Sequence, residues 1–262
     1  MTAPSVFHMT IPAFSLIWIK ALKEYGEHTN DTMFIEEMLP VAKKILGFFV
    51  SRLQDGLIIT PIEKKYWNFY EWTDGMNNSI VENIRFDAPL NSLFGMELMD
   101  YFELCNRVGQ DGEAKWAKQI YDDVKKVFHK SFYCENKKAY KTYIDGEQEH
   151  FSQLTQALAL LSDFVDNEYK HIIRQQLVNK DLVETSLSFS GFKYDALLQD
   201  ENSYRELVID DIEKKWGYML EQGATSFWET ILGENVFSYA GSLCHGWSAI
   251  PVYYFHKLGL VK

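Results

Sequence analysis

The chain has 262 residues, 47% of them hydrophobic and 24% charged, and carries a formal net charge of −11. That length allows one large domain or two small ones, and an acidic surface that repels phosphate argues against nucleic acid as a partner. No apolar run is long enough to cross a membrane and the opening MTAPSVFHMT lacks the regions of a secretory signal, so the chain reads as soluble, off the membrane and, as written, cytoplasmic.

Helical periodicity dominates. Over residues 11–25, Phe14, Ile17, Trp18, Ala21, Leu22 and Tyr25 recur by three and four behind Thr10 as N-cap and Pro12 in the first turn. Asn30 or Asp31 opens a second helix through Met38, Ala42, Ile45 and Phe49 toward Gly56, with Pro40 as a possible bend. Residues 90–105 and 113–132 form a second helical pair across Gly109 and Gly112, and residues 152–165 and 168–178 a third. Shorter helices fit residues 192–198, 203–220 and 247–258, and only AYKTYI at 139–144 invites a strand. No Pro/Gly/Ser linker divides the sequence, so residues 1–262 are expected to form a single all-α domain. Successive hairpins of this kind stack as a solenoid or close as a ring, and periodicity alone does not choose.

The three cysteines, Cys105, Cys134 and Cys244, form no CxxC pair and are expected to be small buried hydrophobes. The seven histidines show no metal-ligand spacing, so no metal or cofactor is implied.

Two stretches break the helical pattern. In YWNFYEWTDGM, residues 66–76, Trp67, Phe69, Tyr70 and Trp72 alternate with Asn68, Glu71 and Asp74. Flat apolar sugar faces stack on the first set and hydroxyls bond to the second; the competing reading is an aromatic plug in the core. Near the C-terminus, GATSFWE at 223–229 is followed by SLCHGWSAIP at 242–251. Glu229 follows two aromatic residues, and apolar walls make a carboxylate more basic, which suits proton abstraction from water. A solvated helix-start glutamate is the plain alternative, as a core histidine is for His245 and a core tryptophan for Trp247.

These residues resemble the end of the catalytic domain of α-L-rhamnosidases, glycoside hydrolase family 78-like members of the six-hairpin glycosidases. There a Gly-Ala-Thr-Thr-x-Trp-Glu segment precedes a Ser-x-x-His-x-Trp-Ser segment. YWNFYEW is similar to that domain's Trp-Asn-Phe-x-Asp-Trp loop, and FSQLTQALALL to its Gln-containing inner helix. The resemblance implies an (α/α)6 toroid of helical hairpins, incomplete at its N-terminal end because nine or ten helices stand where twelve are wanted. It implies inverting hydrolysis of a rhamnosyl glycoside, with Glu229 as general base, His245 as a sugar-hydroxyl ligand and Trp72 as a pocket wall. Trp67, Glu71, Asp74, Trp228 and Trp247 complete the substrate-binding set.

The chain also departs from that pattern. Glu71 stands for the usual Asp and Ser226 for a usual Thr, and the segment bearing the general acid, with its Arg-Asp-Glu run, has no counterpart. Glu71 or Asp74 is a candidate substitute acid. A non-catalytic carbohydrate binder, or a hydrolase or epimerase of another sugar, is the competing expectation. No arginine falls in the aromatic stretches, which favours a neutral sugar. An open ring would expose apolar flanks and favour self-association.

Overall fold

The computed structural model describes residues 9–78, 84–144 and 149–261. Its first helix, α1 (Pro12–Thr29), begins with proline in the first turn, where a missing N–H costs nothing. Ile11 rather than Thr10 holds the N-cap position, because Thr10 is drawn into a bridge with Tyr66. Asn30 turns left-handed at φ 55°, and Asp31 caps α2 (Thr32–Val50) by accepting the Phe34 N–H at 3.0 Å. α2 runs through Pro40 and stops well before Gly56. Asp55 and Gly56, both at positive φ, instead fold Leu53–Gln54 back onto Leu57–Ile58 as a small hairpin.

Seven more α-helices follow among the described residues: α3 (Ala88–Arg107), α4 (Asp111–Phe132), α5 (Gln153–Leu161), α6 (Lys170–Leu177), α7 (Ser190–Leu198), α8 (Glu201–Glu221) and α9 (Ile250–Lys257). α5 ends short of Val165 because Asp163 takes a positive φ of 56°, which lets Phe164 turn into the core against Phe128 and Tyr121. α9 begins after Trp247, which lies in a 3-10 turn (Gly246–Ser248). The stretch at 139–144 is extended as expected: Ala139–Tyr140 pairs with Tyr133–Cys134, and Tyr143–Ile144 with Phe86–Asp87. Asn68–Phe69, inside the aromatic loop, pairs with Asn77–Asn78 just beyond it, a short ladder that no alternation of residues announces.

Burial separates the helices into two layers. Every residue of α5 from Gln153 to Leu160 is buried, and α3 is buried on most of its surface. α4 buries only one stripe, through Ala114, Ala117, Tyr121, Val124, Phe128 and Phe132. α1, α3, α5 and α7 pack in succession as an inner row, and each is followed in the chain by an outer partner. α9 extends the inner row, since the Tyr254 hydroxyl donates to Gly191 O of α7 at 2.7 Å. The fold is thus all-α, a toroidal arrangement of helical hairpins, and none of the described helices is long and apolar enough to cross a membrane.

Turns within the hairpins are short, whereas connections between hairpins are long. Antiparallel alternation gathers the long connections at one end. There they bond to one another: Thr10 bridges Tyr66, Ile59 bridges Phe86 and Ser152 bridges Val183. Gln156 of α5 completes the stitching, accepting the Tyr140 N–H at 2.7 Å and donating to Tyr140 O at 2.8 Å. Both groups are fully buried, and an orphaned buried group costs about 1–3 kcal/mol. Gln156→Ala is therefore expected to lower stability by about 2–4 kcal/mol in urea unfolding; a change below about 0.5 kcal/mol would mean that the Tyr140 backbone finds other partners.

Candidate functional site

Each half of the site is built on a backbone constraint. In the aromatic loop, Gly75 adopts φ 69° and admits His150, whose Nε2–H donates to Asp74 O at 2.9 Å. A Cβ at Gly75 would lie 2.4 Å from that nitrogen, so only glycine fits. Below the loop, the Tyr70 hydroxyl donates to Asp87 Oδ2 at 2.7 Å, and Arg85 lies 2.7 Å from Asp87 Oδ1. This buried network fastens the loop to the start of α3.

The two C-terminal stretches lie alongside one another. The Glu229 N–H donates to Ser242 O at 2.9 Å, the Ser242 N–H donates to Glu229 Oε2 at 3.2 Å, and the His245 N–H donates to Phe227 O at 2.7 Å. The Ser226 hydroxyl bonds Leu243 O in the same ladder. This pairing explains why a Glu-bearing and a His-bearing stretch come together: the backbone of one holds the other in register. Glu229 and His245 are both half-buried, and Trp228 packs over Gly233.

Aromatic rings join the halves. Trp72 contacts Trp67, Phe69 and Phe237 with centroids 5.7, 4.8 and 4.9 Å apart. Phe14 of α1 lies 5.9 Å from Phe69 and 5.1 Å from Trp247, and Trp247 lies 5.7 Å from Phe189. Trp247 is 48% exposed and so is not a core residue. Phe14, Phe189 and Phe237 carry no signal in the sequence for a place in this row. Phe237, Ser238 and Tyr239 are consecutive left-handed residues, φ 51°, 59° and 68°, without a glycine among them.

The acidic candidates separate. Asp74 is exposed. Glu71 is fully buried; its Oε2 accepts the Ser186 N–H at 2.6 Å, which ties the aromatic loop to the α6–α7 connection, while Oε1 has no hydrogen-bond partner among the described residues. Burial pushes the Glu71 carboxyl up to about 7, against the opposing pull of the Ser186 bond and of Lys215.

A cavity of about 800 Å³ opens beside Trp72, between the α6–α7 connection and α8, with Thr230 and Ile231 on its C-terminal side. Lys193, Lys215 and Asp211 also line it. Burial opposes the charge on Asp211, but Lys193 and Lys215 hold its carboxyl below the usual range. These residues lay unnoticed in the sequence; a lysine inside the apolar run FKYDALL was the available signal. Cys105 is buried as expected, but Cys134 is half-buried and Cys244 exposed, because Cys244 sits on the outer edge of the paired stretches.

Residues 1–258 match the family described as the bacterial alpha-L-rhamnosidase 6 hairpin glycosidase domain. Among solved structures, the GH78 family rhamnosidase of Bacillus sp. GL1 superposes with a TM-score of 0.86 and 26% identity, over 98% of this chain and 27% of that one. A rhamnosidase from Klebsiella oxytoca with rhamnose bound gives 0.78 and 19%, over 95% and 47%. The α-L-rhamnosidase from Dictyoglomus thermophilum gives 0.70 and 18%, over 94% and 27%. The chain thus spans between about a quarter and a half of the length of these relatives. Among curated protein sequences, none matches.

Proposed function

Because the chain belongs to the bacterial α-L-rhamnosidase six-hairpin glycosidase family, we propose that it serves the inverting hydrolysis of terminal α-L-rhamnosides, with Glu229 as general base. The observation that carries this reading is the ladder between residues 226–229 and 242–245, which pairs Glu229 with Ser242 and Phe227 with His245 at the end where the long connections gather. The Ser242 N–H fixes one carboxylate oxygen and leaves the other for a water. Glu229 takes a proton from that water while its oxygen forms a bond to the anomeric carbon, and the glycosidic oxygen leaves from the opposite face with a proton from a second carboxyl group. His245 bonds a sugar hydroxyl, and Trp72 and its aromatic neighbours form the wall.

The second carboxyl group belongs about 6.5–9.5 Å from the first, across the sugar. Glu71 keeps a proton near neutrality but is sealed from solvent and bonded to Ser186, which fits a fastener of the loop better than a donor. Asp74 faces solvent. The proton donor in our reading is supplied from outside these 262 residues. Turnover of an aryl rhamnoside that is lost with Glu229→Gln tests the assignment; turnover that survives would end it, and no turnover in the unmodified chain would mean that the site is not complete within these residues, leaving a hydrolase completed from outside them or a sugar binder.

The outer side of α9 leaves Val252 and Tyr253 63% and 57% exposed. In our reading this edge drives self-association. Gel filtration of the chain at increasing concentration is expected to show a shift toward larger species, weakened by Val252→Glu with Tyr253→Glu; a concentration-independent monomer would contradict it.

A further inference from the structure

His150 has no role in the hydrolytic reading above, yet it holds the aromatic loop where that loop turns left-handed. Its ring fills the space that a side chain at Gly75 would need: a Cβ there would lie 2.4, 2.6 and 2.9 Å from three of its atoms. The ring also stacks on Tyr143, with centroids 5.4 Å apart and planes 9° from parallel, and the Arg85 guanidinium approaches that same tyrosine ring at 4.5 Å. Because the Asp74 carbonyl only accepts, Nε2 carries the hydrogen of the 2.9 Å bond, and in the neutral ring Nδ1 is bare. Nδ1 is buried, with no hydrogen-bond partner among the described residues. A second proton would therefore enter a closed site without an acceptor. Of the charged groups around the ring, Asp74 of the loop favours that proton and Arg85 opposes it; burial, the largest influence, also opposes it and holds the imidazole below its usual value. Asp87 is engaged by Arg85 at 2.7 Å and Glu149 by Lys141 at 2.8 Å.

We propose that His150 is a positioning residue that works as an acid-sensitive latch: neutral, it seats the Asp74–Gly75 turn and with it Trp72, and protonated, it releases them. Trp72 stands two residues before Asp74 and meets Phe237 of the C-terminal half at 4.9 Å, so a displaced turn moves the wall that joins the two halves of the site. Above about pH 6.5, the ordinary imidazole value, the ring is neutral whether the turn is seated or released, and the latch stays closed. As pH falls below that value the released ring takes up a proton before the seated one does, so the seated population declines until both forms are charged. Glu71 gains a proton in the same loop over a similar range. The contribution of His150 is accordingly the difference from His150→Gln, whose amide can donate to Asp74 O without ionising. That Trp72 faces a sugar rests on the hydrolase reading; the latch rests on the contacts of His150 alone.

Nuclear magnetic resonance of the chain labelled at its tryptophan indoles, with the Trp72 signal assigned through Trp72→Phe, tests the inference without any sugar. Between about pH 7.5 and 5 the Trp72 signal is expected to shift with the same midpoint as the His150 ring protons. That component should be absent in His150→Gln and present in His171→Gln, which removes an exposed histidine of α6. Calorimetric titration with L-rhamnose over the same range is expected to show affinity falling at least about threefold through the same component, since small displacements of a positioned wall weaken a site steeply. His150→Ala should bind weakly throughout, and His150→Gln should restore the affinity at about pH 7.5. A Trp72 signal that titrates identically in the unmodified chain and His150→Gln would overturn the inference, as would full rhamnose affinity in His150→Ala. Absence of rhamnose binding at every pH would remove the hydrolase reading and leave the latch to stand or fall on the Trp72 signal.

Discussion

Glu229→Gln is expected to lower turnover of 2,4-dinitrophenyl α-L-rhamnoside by about 10²–10⁴-fold, the range over which a positioned general base acts. The activated phenolate departs without a proton, so this substrate reads the base independently of where the acid comes from. Glutamine preserves the acceptor for the Ser242 N–H and hence the ladder to residues 242–245, but it takes no proton from water. The loss should therefore fall on kcat, with KM little changed. Azide, which needs no deprotonation, should restore part of the rate in the variant and yield the inverted glycosyl azide. Undiminished hydrolysis in Glu229→Gln, or a product of retained configuration in the unmodified chain, would remove Glu229 from this role.

Local patterning carried much of this architecture. The three-and-four spacing from Phe14 to Tyr25 marks α1, and the polar pair Asn30 and Asp31 supplies the left-handed turn and the cap that a tight helical hairpin needs. What patterning did not carry is contact between distant segments. Thr10 reads as a cap, and loses that place to a bridge with Tyr66 that local sequence does not encode. Glu71 reads as a sugar ligand in an aromatic loop, yet its bond is to Ser186, in a connection with no chemical signature of its own. The C-terminal stretches were legible because their small residues sit where two backbones run close together. The lysine-lined cavity was not, because its lysines come from three separate segments, the α6–α7 connection, α7 and α8, each of which reads alone as an ordinary amphipathic surface.

Glu71 gives the second large effect, on stability rather than turnover. Its carboxyl has an ordinary value near 4.5 and is raised to about 7 by burial. Below about 4.5 it is protonated in both the folded and the unfolded chain, and the folded state bears no penalty. Between about 4.5 and 7 the unfolded chain releases the proton while the folded chain retains it, so stability falls as pH rises and then levels off above about 7. The span corresponds to about 3 kcal/mol, or roughly 5–10 °C in Tm for a chain of this size. His150, whose ring is lowered from its usual value by burial, works in the opposite direction, and Glu97, fully buried with neither oxygen hydrogen-bonded among the described residues and raised by burial, extends the decline to higher pH. The quantity to read is accordingly the difference between the unmodified chain and Glu71→Gln in thermal melts from pH 4 to 9. That difference should open in favour of the variant between about pH 4.5 and 7 and stay constant above, since glutamine keeps the Ser186 bond without ever ionising. Parallel melting profiles would show that Glu71 ionises freely in the folded chain, and so reopen it as a group exposed to substrate.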